Sequence, residues 1–101
     1  MSEIAKQEVR VAELRERLGE ERPDTLAAML DLAELLWKEG RLGAARPLEE
    51  HVVAARLRLF GERHADTLKA MGKLATTIGA YGDLAGARAM QQRIVELAPE
   101  V

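Results

Sequence analysis

The sequence predicts an all-α chain of about five antiparallel helices, stacked as hairpins into a fragment of an α-solenoid. Three observations lead there. Apolar residues recur at helical spacing in five segments, each segment is bounded by glycine or proline, and the pattern returns after 42 residues.

The repeat is the deciding signal. Gly19-Glu20-Glu21-Arg22-Pro23-Asp24-Thr25-Leu26 returns as Gly61-Glu62-Arg63-His64-Ala65-Asp66-Thr67-Leu68. In the same register Ala28 and Met29 match Ala70 and Met71, Leu32-Ala33 match Leu74-Ala75, Gly40 and Leu42 match Gly82 and Leu84, and Ala45-Arg46 match Ala87-Arg88. The expected division is a single domain over 1–101: a leading helix within 1–19, a first unit over 20–61 and a second, terminal unit over 62–101.

The leading helix carries Ile4, Val11, Leu14 and Leu18 on one face and ends at Gly19. A second helix starts at Pro23-Asp24-Thr25, because proline suits the first helical turn and an early carboxylate favours the helix N-terminus. Met29, Leu32, Ala33 and Leu36 form its apolar stripe, and Gly40 ends it. The third helix has Leu42, Ala45, Leu48, Val52 and Leu59 as its stripe and stops at Gly61; Pro47 is expected near its first turn, where a missing N–H does little harm. The fourth repeats the second with Met71, Leu74, Ala75 and Ile78. After a turn at Gly82-Asp83 the fifth carries Leu84, Ala87, Ile94 and Leu97, with Pro99 closing it. Turns this short force neighbouring helices to run antiparallel.

Composition narrows the function. The chain has 101 residues, 48% hydrophobic and 32% charged, with a formal net charge of -2 and no long run of either sign. That balance belongs to a folded chain and argues against a nucleic-acid binder or a polybasic membrane anchor. No cysteine is present, which excludes disulfides, thiolate metal sites and a thiol nucleophile. No apolar stretch approaches the ~18 residues of a membrane span and none resembles a signal sequence, so the expected location is cytoplasmic. Ser2 is the only serine, the glycines form no phosphate loop, and His51 and His64 share no face with a second ligand. The chain is therefore not expected to be an enzyme or to hold a metal or cofactor. His51 is placed on the outer face of the third helix, and His64 at a helix entry.

Leu32-Ala33, Gly40, Leu42, Ala45 and their counterparts Leu74-Ala75, Gly82, Leu84, Ala87 resemble the tetratricopeptide signature of small and large residues at fixed offsets. The Gly-x-x-x-x-Asp-Thr-Leu connector and the 42-residue period are similar to the kinesin-light-chain variety of that repeat, over nearly the whole chain. Departures are Glu49 and Gln91, where such repeats place a large residue, and Arg10 in place of a small one. The resemblance implies a right-handed superhelix in which the first helix of each hairpin lines a concave groove, and a function in binding a protein or peptide there, as adaptor or scaffold.

On that basis the groove face of the second helix is Ala27, Leu30, Glu34, Trp37 and Lys38, with Asp31 at its margin; the fourth helix contributes Lys69, Gly72, Lys73, Thr76 and Gly79. Acidic and apolar on one side, small and basic on the other, this face suits a segment carrying both charges and an apolar anchor. Trp37 is the sharpest single candidate, since tryptophan is enriched in binding hot spots. The alternative is an ordinary solvated face whose opposite charges pair. A competing function is self-assembly into homo-oligomers, by end-to-end stacking or helix exchange, through the stripe of Ile4, Val11, Leu14 and Leu18. The C-terminal end is expected to be capped by Arg88, Gln92, Arg93 and Glu96.

Overall fold

A computed structural model describes residues 2–98, so Pro99 lies outside the described residues. Five helices follow in order: α1 Glu3–Leu18, α2 Pro23–Lys38, α3 Leu42–Phe60, α4 Ala65–Ala80 and α5 Leu84–Leu97. Each packs mainly on its neighbours in sequence, as a stack of antiparallel hairpins does. The extents are 39 × 29 × 20 Å.

The helix ends have local causes. Ser2 Oγ accepts from the Ala5 N–H at 3.1 Å and starts α1, while Pro23 occupies the first turn of α2. His64 caps α4 by accepting from the Asp66 N–H at 3.1 Å, the entry role expected of it, and its ring stacks on Phe60. Asp83 Oδ1 accepts from the Gly86 N–H at 2.8 Å to start α5. The turns inside the two hairpins use Gly40 (φ 79°) and Gly82 (φ 95°), a left-handed conformation that residues with a Cβ rarely adopt.

One core cluster joins α1, α2 and α3 through Ile4, Val11, Leu26, Met29, Leu32, Leu36, Ala45 and Val52, and reaches Ala70 of α4. A second joins Leu74, Ile78 and Ala87, and Val53 of α3 packs against both. Buried polar groups reinforce the joints. Gln7 Nε2 donates to the Ala28 carbonyl at 2.9 Å, tying α1 to α2. Arg56 turns inward and donates to the Asp66 carbonyl at 2.9 Å, while the Thr67 hydroxyl donates back to the Arg56 carbonyl at 3.2 Å.

Several expectations are corrected. Pro47 lies inside α3, at its sixth residue rather than in the first turn, so it removes the N–H that would have bonded the Gly43 carbonyl. Leu59 is exposed, because α3 runs past the layer that covers its middle. Leu84 is 67% exposed and so is not part of the buried stripe of α5. Val95, about three turns along the same face, is 71% exposed, so the outer side of α5 carries two open apolar residues beside Arg88, Gln92, Arg93 and Glu96, which are exposed as expected. The physical reason lies in the repeat: the α3 counterparts of Leu84 and Val95 are Leu42 and Val53, both partly covered, and α4 is packed on α3, while the described chain supplies no equivalent helix to α5. Arg10 is exposed and does not interrupt the core.

Candidate groove between α2 and α4

The helix α2 has neighbours on two sides, α1 and α3, and its buried arc is correspondingly wide. The remaining surface carries Glu34, Trp37 and Lys38, which share a face by their i, i+3, i+4 spacing. The helix α4 packs on α3 and has almost no direct contact with α2. A gap therefore remains between α2 and α4, with α3 beneath it. Glu34, Trp37 and Lys38 form one wall, Lys73 and Thr76 the other, and Glu49 comes up from α3, enclosing about 220 Å³.

Glu34, Trp37, Lys38, Lys73 and Thr76 were all expected on this face, and the structure brings them together. Ala27, Asp31 and Lys69 are exposed but do not line the cavity, and half-buried Gly72 does not line it either. Leu30 is a correction: it is 3% exposed and belongs to the core cluster, because α1 and α3 together bury an arc that extends past the stripe of Met29, Leu32, Ala33 and Leu36. A Cβ added at Gly72 would meet nothing within 4 Å, and one at Gly79 would meet the Ala87 Cβ at 3.4 Å. Close packing by α5 thus accounts for Gly79 but not for Gly72.

Trp37 is 38% exposed, so its indole is partly in the wall and partly open to the cavity. Lys38 Nζ lies 4.0 Å from Glu34 Oε1, an exposed i, i+4 pair. The Thr76 hydroxyl donates to the Gly72 carbonyl at 3.1 Å, and that of Thr77 to the Lys73 carbonyl at 3.3 Å.

Glu49 was read from the sequence only as a departure from pattern. In the structure it is 3% exposed, and its Oε1 has no hydrogen-bond partner. Burial pushes its carboxyl above the usual carboxylate range; a hydrogen bond from Thr77 and the charge of Lys73 oppose the shift, and repulsion from Glu50 adds to it. The Thr77 hydroxyl has one proton, which cannot serve Glu49 and the Lys73 carbonyl together. The corresponding residue of the next unit, Gln91, is exposed, so the buried carboxyl is peculiar to the first.

The stripe expected to mediate self-association is largely internal. Ile4 and Val11 are buried, and Leu14 and Leu18 half-buried, because α2 packs on this face. His51 is half-buried rather than on an outer face, with Nε2 enclosed and unpartnered near Glu20. Glu20 is held below the usual carboxylate range by a hydrogen bond from Arg15, at 2.6 Å, and by that residue's charge. Among the described residues no three His, Cys, Asp or Glu side chains converge as a metal site, and no helix is long and apolar enough to cross a membrane.

A family profile described as tetratricopeptide repeat matches residues 25–66, which run from the first turn of α2 through α3 to the first turn of α4. This chain carries a tetratricopeptide repeat. The matched span is one 42-residue period, and it contains Glu34, Trp37, Lys38 and Glu49. Tetratricopeptide repeats are protein-interaction units, and α2 and α3 are the hairpin of this one. No curated protein matches the chain.

Proposed function

We propose that the chain is a protein-interaction module whose groove between α2 and α4 holds a segment of a partner protein, as an adaptor or scaffold. The observation that carries this reading is the cavity itself, where the first helices of two successive units present Trp37 and both signs of charge around one space, with the buried carboxyl of Glu49 coming from α3. The alternative of a solvated face with paired charges accounts for Glu34 and Lys38. It does not account for a half-exposed tryptophan beside an unpartnered buried oxygen.

Two helices make a short surface, so affinity for a lone peptide is expected to be micromolar or weaker unless the partner also covers an outer face. With a partner captured from solution, binding should shift the emission of Trp37, the sole tryptophan. Trp37→Ala should weaken binding by more than about 1 kcal/mol, and Lys73→Glu should weaken a partner that presents a carboxylate at that wall. Binding unaffected by both substitutions would move the site to the outer faces of α3 and α5.

A second reading is end-to-end self-assembly, and the open face of α5 favours it. Leu84, Gly79, Ala87 and Gln91 border a groove between α4 and α5 at the position where α4 itself sits in the preceding unit. A helix from a second copy would cover Leu84 and Val95 there. Molar mass in solution tests it: a dimer should dissociate on Val95→Asp, and a monomer at high concentration would refute it.

A further inference from the structure

The floor of the cavity between α2 and α4 is a carboxyl that the chain satisfies only in part. Glu49 is 3% exposed, its Oε1 has no hydrogen-bond partner, and it lines the cavity beside Trp37. We propose that this cavity receives an arginine side chain of the partner, with the guanidinium donating to the Glu49 carboxylate and its plane lying against the Trp37 indole. The inference rests on the reading of the groove as a site for a partner segment.

The size fits a side chain. The cavity holds about 220 Å³, below the ~300–1,000 Å³ typical of small-molecule sites. The chemistry fits a donor. A carboxylate in the lining is an acceptor, so the entering group must bring an N–H or O–H, and a charged donor makes the stronger bond. Two lysines share the lining, but neither fills this need. Lys38 is 4.0 Å from Glu34, and Lys73 leaves Oε1 unpartnered although it borders the same space. An anion drawn by those lysines would meet Glu49 on reaching the floor, so acidic groups of the partner belong at the rim, on either side of the inserted cation.

Arginine is favoured over lysine by the walls. A guanidinium is planar, stacks on an aromatic face, and is more weakly hydrated than an ammonium, so less hydration is lost on entry. Its five N–H donors can reach Glu49 and Glu34 together, whereas an ammonium acts as a compact point charge.

The test uses blocked pentapeptides Gly-Asp-Xaa-Asp-Gly, with Xaa either arginine or citrulline, its uncharged near-isostere. Binding to the whole chain is followed by Trp37 emission and by the backbone amide resonances of α2 and α4. The arginine peptide should bind about tenfold more tightly than the citrulline peptide, the scale of one charge-assisted hydrogen bond. Glu49→Gln should abolish that preference, whereas Glu34→Gln should keep most of it, because Glu34 is exposed and already near Lys38. If circular dichroism shows that Glu49→Gln fails to fold, the wild-type preference and its survival in Glu34→Gln decide the matter. Equal binding of the two peptides would overturn the arginine inference and leave the groove as a binding site. A preference lost in Glu34→Gln, or kept in a folded Glu49→Gln, would overturn the role of Glu49. If neither peptide perturbs Trp37 or those amides at millimolar concentration, the groove reading falls with the inference.

Discussion

Replacing Glu49 with methionine should make the isolated protein more stable at neutral pH. The side chain is 3% exposed and its Oε1 is enclosed without a donor. An unsatisfied buried polar atom costs about 1–3 kcal/mol, and more when charged. Methionine is of similar length, carries no group that needs a partner, and adapts to irregular space. The opposing terms are the Thr77 hydrogen bond and the attraction of Lys73, which are weaker than the burial penalty because the carboxyl lies above its ordinary range despite them. The net expectation is a gain of about 1–3 kcal/mol at pH 7, and each kcal/mol should raise Tm by about 4–8 °C in a chain of this size. A raised native pKa means that the native state holds the proton more tightly than the unfolded chain. The contribution of Glu49 to stability is therefore complete below the unfolded value of about 4.5 and lost as pH rises through the native value. The advantage of methionine should accordingly be smallest near pH 4 and grow towards pH 7. Urea unfolding followed by circular dichroism at both pH values measures it. A Glu49→Met variant less stable than the parent by more than about 1 kcal/mol at pH 7 would refute the reasoning, since it would mean that the carboxylate is well paired in solution.

Leu74→Ala should cost about 2–5 kcal/mol and Leu84→Ala less than about 0.5 kcal/mol, because Leu74 is buried against Ile78 and Ala87 whereas Leu84 is 67% exposed; similar losses would contradict the orientation of α5. Gly72→Ala should stabilise α4 by roughly 1 kcal/mol, since the added Cβ meets nothing and the helix loses a residue of poor propensity; a lower Tm would show that something packs there. Gly86→Ala should cost about 1 kcal/mol, because the new Cβ would overlap Asp83 Oδ2 and displace the side chain that caps α5; an unchanged melting curve would show that the cap contributes little.

The positions of the helices were legible in the sequence because their causes are local. Pro23, Gly40, Gly61, the Asp-Thr-Leu starts and the 42-residue period act through backbone geometry within a turn or two, and all five helices fall where those signals put them. Spacing alone also placed Glu34, Trp37 and Lys38 on one face of α2, and Lys73 and Thr76 on the matching face of α4. The same reasoning failed for Leu30. A 3.6-residue period identifies the most apolar stripe of a helix, but the width of the buried arc depends on how many neighbours the helix has, and α2 has two.

What the tertiary structure decided was the fate of residues whose surroundings come from distant segments. Glu49 and Gln91 occupy equivalent positions, yet Glu49 is enclosed and Gln91 is exposed, because α4 lies over α3 and the described chain lays no helix over α5 in the same way. Arg56 reads as a surface arginine until the turn before α4 brings the Asp66 carbonyl within 2.9 Å of it. Leu84 reads as core by analogy with Leu42 and is open. Helix ends and apolar stripes follow from interactions a few residues apart, which a sequence states directly. Burial depends on which helix comes to lie on which face, and a carboxylate is forced into the floor of a cavity only when α2, α3 and α4 close around it.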